Sequence, residues 1–242
     1  MSLKLVSAIL VLVSFALPSD RSIPPLETSP QDDPYAQQRH RMVEWQIAGR
    51  GITDPEVLRA MRSVPRHLFV PQGEADHAYE DRPLPIGYGQ TISQPYIVAF
   101  MTEILKLRKH QKILEIGTGS GYQAAVLAEI VDSVFTIEIV EPLALAAADR
   151  LRSLHYSGVV VRAGDGYNGW AEHAPFDGII VTAAAEHIPQ PLIDQLKEGG
   201  RMIIPTGESW EVQELLLVEK RDGMVRTESV LPVRFVPLIR QK

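Results

Sequence analysis

The chain has no cysteine among its 242 residues. That excludes a disulfide framework, a thiolate nucleophile and cysteine-ligated zinc, and it leaves the redox compartment open. Basic charge is scarce too: 24 Lys and Arg stand against 30 Asp and Glu, a net charge of -6, with no dense basic run. Nucleic acid is therefore not an expected partner. The histidines show no pairing at three- or four-residue spacing and no His-Glu-x-x-His occurs, so no metal is expected. His67 reads as a surface or packing residue, and the isolated Trp45, Trp170 and Trp210 as packing residues. Also missing is a run of the roughly 20 apolar residues that would cross a bilayer. Residues 5–17, behind Lys4, have the size of an export signal's apolar region, but no small-x-small triplet follows. A membrane-tethering segment, or a start placed too far upstream, fits the same residues.

With 45% hydrophobic and 22% charged residues, the rest of the chain can bury a substantial core. The expected organisation is a leader over 1–22, a Pro-rich flexible linker over 23–34 and one folded domain over 35–242. A helix is expected over 35–50, ended by Gly49 and Gly51. A second has Asp54 as its cap and Pro55 at its first position. Residues 65–95 are rich in Pro and Gly and should be neither helix nor strand, and a helix should follow over 95–107. Apolar runs at 112–116, 134–138, 159–161, 178–182 and 202–205 alternate with helical patterns at 122–131, 141–154 and 191–196. Such runs, apolar on both faces, predict an α/β fold with a doubly wound, mostly parallel sheet. Two further runs, 214–220 and 224–236, should add an antiparallel edge.

The densest chemical signal is Leu114-Glu115-Ile116-Gly117-Thr118-Gly119-Ser120-Gly121, where the first strand of that alternation turns into a helix. Gly117, Gly119 and Gly121 let a backbone approach a ligand closely, and the helix behind them offers free N–H groups. Gly119 to Ala124 also satisfies a dinucleotide fingerprint, so NAD stays open on this motif alone. Glu138 ends the second strand, about 20 residues on, where an acid binds a ribose diol. Asp165 and Gly166 follow the third strand, placing a carboxylate within reach of an adenine amino group, unless Asp165 merely caps a turn.

Glu115 with the three glycines, Glu138 and Asp165 together resemble the pattern of S-adenosylmethionine-dependent methyltransferases, which implies a Rossmann-like fold and S-adenosyl-L-methionine as cofactor. Residues 182–185, Thr-Ala-Ala-Ala, stand where enzymes of that kind acting on planar amines carry Asn/Asp-Pro-Pro-Tyr, which disfavours an amine acceptor. Upstream, Gly89-Gln90-Thr91-Ile92-Ser93-Gln94-Pro95 resembles a segment of the protein-L-isoaspartate O-methyltransferases. The likeness continues through Val64-Pro65-Arg66-His67-Leu68-Phe69-Val70-Pro71 and Arg234-Phe235-Val236-Pro237-Leu238. It implies methyl transfer to the free α-carboxylate of isoaspartyl residues, and of D-aspartyl residues as an extension, in damaged peptides and proteins. It assigns Ser93 to the acceptor carboxylate, Gln94, Pro95 and Tyr96 to the border of the cofactor, and Ile86 and Val236 to the peptide cleft. Ser93 before Pro95 also has the position of a helix cap. A methyltransferase for another carboxylate or hydroxyl, a non-catalytic cofactor-binding module and a nicotinamide dehydrogenase are the competing readings. Cofactor supply implies the cytoplasm, the leader a periplasmic or secreted protein instead, and the protein is expected to be a monomer.

Overall fold

The computed structural model describes residues 33–208 and 211–240, and the compact unit begins at Pro34. The expectations for the leader, for most of the linker and for Trp210 lie outside these residues. Helix α1 (Ala36–Arg41) runs on into a π-helical turn, Met42–Ile47, and a 3-10 turn, Ala48–Arg50, and stops where Gly51 takes φ +96°. Met42, Val43 and Ile47 occupy the buried side of this stretch. Trp45 falls on the opposite side and is 78% exposed, so it is not the packing residue expected. In α2 (Pro55–Ser63), the Asp54 carboxylate accepts the Glu56 and Val57 N–H groups, satisfying two of the donors a helix start leaves free.

Between Pro65 and Pro95 the expectation of no regular structure fails at one place. After 3-10 turns at Arg66–Phe69 and Gln72–His77, strands β1 (Leu84–Gly87) and β2 (Gln90–Ile92) form an antiparallel hairpin, pairing Leu84 with Ile92. Its turn runs through Gly87, Tyr88 and Gly89, all at positive φ, the backbone that tight hairpins require. Glycines that look like strand breakers are here the turn itself. Helix α3 (Pro95–Ile104) follows.

From there the alternation is as expected: β3 (Lys112–Ile116), α4 (Tyr122–Ala128), β4 (Ser133–Glu138), α5 (Glu141–Ser153), β5 (Val159–Ala163), β6 (Phe176–Val181), α6 (Gln190–Gln195) and β7 (Leu196–Thr206). The chain closes with β8 (Gln213–Arg221) and β9 (Met224–Val233). Seven strands make one sheet in the order β5-β4-β3-β6-β7-β8-β9, parallel from β5 to β7 and antiparallel through β8 and β9. Successive residues feed two separate cores: Ile113, Ile180 and Ile203 enter one, and Leu114, Ile179 and Met202 the other, all fully buried. Each such side chain contributes about 1.5–3 kcal/mol of burial. Trp170 is buried against Phe135, their ring centroids 5.6 Å apart, as expected of a packing residue.

Candidate active site

The strand order reverses at β3: the chain moves outward to β4 and β5, then returns to place β6 on the other side. Ligands of open α/β sheets bind in the crevice this creates at the carboxyl ends of the two neighbouring strands. A cavity opens there, walled by Gly117–Ser120 behind β3, Glu138 behind β4, Gly166, and Thr182 behind β6. Gly117, Gly119 and Gly121 all have positive φ. At Gly117 a β-carbon would collide with the Thr182 hydroxyl, which is shared between the carbonyls of Ile116 (3.0 Å) and Gly117 (2.7 Å). Thr182 thus pins the loop across the crevice. In the sequence Thr182 counts only toward the segment that disfavours an amine acceptor, although its place directly after β6 at the switch point is a usable signal for this role.

Glu138 is buried at the rim, its two oxygens accepting the N–H groups of Gly119 (2.7 Å) and Val140 (3.0 Å). The carboxylate is therefore held toward the cavity by backbone from both sides. Beneath it, Glu115 is fully buried, and burial pushes its carboxyl up to about 8, the Thr136 hydrogen bond opposing and the Glu138 charge adding to the rise. A hydroxyl relay links Glu115 Oε2 through Thr136 (2.6 Å) to Thr118 of the cavity wall (2.6 Å), while Oε1 has no partner among the described residues.

Asp165 does not line the cavity. Its Oδ1 accepts the Tyr167 N–H at 3.0 Å, the turn cap that was the second reading of this residue, and its Oδ2 lies 3.8 Å from Arg240 Nε. Arg240 also stacks on the Tyr167 ring at 3.7 Å. Its tail neighbours Leu238 and Ile239 close one side of the cavity, fixed by the Leu238 N–H to the Ala184 carbonyl at 2.7 Å. That wall was not foreseen.

A second, open cleft adjoins the first, and Thr91, Ser93, Thr182, Val236 and Pro237 line both. Ser93 and Val236 thus sit at the junction. Ser93 is not the helix cap: that position is Gln94, which makes no side-chain cap bond, and no described group bonds the Ser93 hydroxyl. Gln94, Pro95 and Tyr96 do not border the first cavity as expected. Gln94 lines the second cleft and donates to the Asp81 carbonyl (3.1 Å), Pro95 is buried at the start of α3, and Tyr96 lies under the Arg50 guanidinium at 3.5 Å. The turn into α3 directs them elsewhere. Ile86 is also displaced from expectation: inward alternation along β1 buries it, its Cδ1 3.2 Å from where a β-carbon on Gly119 would stand, and it lines neither space. Among the described residues no three His, Asp or Glu side chains converge as a metal site would require, and no helix is long and apolar enough to cross a membrane.

A buried acid at the end of β4, a glycine loop and a cavity at the switch point suit a nucleoside cofactor, and comparison with known proteins decides which. A solved protein-L-isoaspartate O-methyltransferase superposes with a TM-score of 0.75 at 31% identity, covering 82% of this chain and 65% of that one. A Plasmodium falciparum protein described as a putative protein-L-isoaspartate O-methyltransferase, solved in complex with S-adenosyl-L-homocysteine, gives 0.74 at 26% identity over 84% of this chain and 99% of that one. The fold and its pocket are those of an S-adenosylmethionine-dependent methyltransferase. Protein-L-isoaspartate O-methyltransferase 2 of Syntrophobacter fumaroxidans is 55% identical over 98% of both chains, and a namesake from Opitutus terrae 58% identical over 85% of this chain and 88% of its own. Residues 37–242 match the family model for protein-L-isoaspartate(D-aspartate) O-methyltransferase, and the chain belongs to that family.

Proposed function

We propose that this protein methylates the free α-carboxylate of L-isoaspartyl residues, and of D-aspartyl residues as a secondary acceptor, starting repair of damaged peptides. The observation that carries the division of labour is the meeting of two spaces at Ser93, Thr91, Thr182 and Val236. The inner cavity suits S-adenosyl-L-methionine and the outer cleft an extended peptide. Glu138 would hold the ribose diol, the Gly117–Gly121 loop would lie along the methionine portion, and Asp165 would take the adenine amino group in exchange for Arg240.

When bound, the cofactor supplies an electrophilic methyl whose bond to sulfur breaks as a carboxylate oxygen forms its own, with the electron pair leaving on sulfur. A carboxylate with a reference pKa of about 4 is already ionised at neutral pH, so no proton has to move and no general base is needed. The residues at the junction fit that economy, being hydroxyls and apolar groups with no acid–base pair. Ser93 would donate one hydrogen bond to the acceptor oxygen, fixing its approach, while Val236 and Pro237 exclude water from the nucleophile. The methyl ester then closes to a succinimide with loss of methanol, and hydrolysis returns part of it as normal aspartate. We place the protein in the cytoplasm, where the cofactor is made, as a monomer without nucleic-acid partners.

Two incubations with methyl-labelled S-adenosylmethionine test the reading, one with an isoaspartyl peptide and one with its aspartyl twin. Label confined to the first is expected. Equal label in both, or in neither, would overturn it.

A further inference from the structure

We propose that Arg234 makes the outer cleft selective for isoaspartyl peptides that carry an acidic side chain beside the damaged residue. This goes one step beyond the reading of that cleft as the peptide site and rests on it. Among the described residues that line the cleft, Arg234 is the one ionisable side chain and none is an acid. In a chain of net charge -6, a cleft whose described lining carries a positive charge and no acid is a local reversal. The guanidinium is exposed and bonds no described group, whereas Arg50, Arg59, Arg62, Arg82 and Arg201 each hold a carboxylate within 3.0 Å. Asp81, whose carbonyl holds Gln94 of this wall, is already engaged by Arg50 at 2.9 Å.

The backbone under Arg234 is fixed on both sides. Val233 pairs with Gln213, the buried Gln213 side chain accepts the Phe235 N–H at 2.8 Å, and the Val236 carbonyl accepts the Ala184 N–H at 2.8 Å. A preorganised stem lets a long side chain meet its partner with less ordering cost than on a mobile loop. Ser93 lines the same cleft, so a peptide that delivers its isoaspartyl carboxylate to Ser93 carries its neighbouring side chains past Arg234. An acidic neighbour gains an ion pair there and a basic one is repelled. The pair remains wet, so the effect is modest and falls with salt.

The test compares two isoaspartyl peptides that differ only in Glu or Lys beside the isoaspartate. At low ionic strength the native protein should show a KM about fivefold lower for the Glu peptide, the size expected of an exposed ion pair. The difference should collapse in about 0.5 M salt, where charges are screened within a few ångströms. Arg234→Gln should bring the KM ratio to about one, Arg234→Glu should invert it, and Arg234→Lys should keep most of it. An unchanged ratio in Arg234→Gln overturns the proposal. So does an equal loss for both peptides, which would put the guanidinium on a group they share, such as the reacting carboxylate. Val212→Trp, a bulky change on the same wall, separates the two layers: if it raises KM for both peptides while Arg234→Gln leaves the ratio alone, the cleft is the peptide site and Arg234 does not select. If neither variant moves KM, the cleft assignment itself fails.

Discussion

Glu115 shows how one residue can tie stability to pH without touching substrate. Its carboxyl is fully buried, with one oxygen on Thr136 and the other unpartnered, and burial lifts it from the ordinary range to about 8. In that interval the folded protein holds a proton that the unfolded chain releases, so stability falls as pH rises from about 4.5 to 8 and levels off above. Glu115→Gln should remove this slope, read as the difference in urea midpoint between native and variant protein at pH 5.5, 7 and 8.5. A parallel shift of all three midpoints would show that Glu115 stays ionised in the fold. Ser93 calls for a different measurement, because its hydroxyl has no described bond and is available to a ligand. A single hydrogen bond to a charged oxygen is worth about 1.5–3 kcal/mol, so Ser93→Ala should lower kcat/KM roughly tenfold to a hundredfold and leave cofactor affinity alone. Total loss would mean that the hydroxyl does more than orient. Glu138→Ala should do the reverse, weakening binding of S-adenosylhomocysteine in calorimetry by a similar factor, since two backbone N–H groups now aim that carboxylate at the cavity.

At the scale of elements, the β3–α4 turn is tightly constrained. Gly117 has φ +96° and no room for a β-carbon beside the Thr182 hydroxyl, so Gly117→Ala should weaken S-adenosylhomocysteine binding at least tenfold and lower Tm. Gly117→Ala combined with Thr182→Ala clears the collision and leaves the backbone strain, and partial recovery of Tm in the double variant is the expected result. This turn was legible because buried parallel strands write themselves as unbroken apolar runs, and three alternating glycines after such a run have few structural uses. The hairpin was not, since strands of four and three residues are too short to show alternation, and Pro85, Gly87 and Gly89 read as breakers. The start of β7 at Leu196, six residues before its apolar run, was hidden because Lys197-Glu198-Gly199-Gly200 has the composition of a turn. Trp45 misled for another reason: helical spacing places a residue on a face, but the neighbouring elements decide which face is covered.

At the scale of the whole molecule, the cavity is assembled from the two ends of the folded chain as well as its middle. Gln90–Ser93 arrive from the N-terminal hairpin, Val236–Ile239 from the C-terminal tail, and the glycine loop from the sheet between them. No periodicity announces a tail of this kind. Its place is set by two backbone bonds to Ala184 and by Arg240 stacked on Tyr167, partners some fifty or more residues away in sequence. A ligand filling the cavity therefore bridges segments that the local sequence leaves independent. Saturation at 100 times Kd adds about 2.7 kcal/mol to the folded state, which for a domain of this size raises Tm by roughly 5–10 °C. The distribution of that gain is the sharper test. With S-adenosylhomocysteine bound, amide exchange should slow together at 90–93, 117–121 and 236–239, because each segment contributes a wall and opening any one of them exposes the ligand. Slowing confined to 117–121 would reduce the tail and the hairpin to bystanders, and would return the closure of this site to the sheet alone.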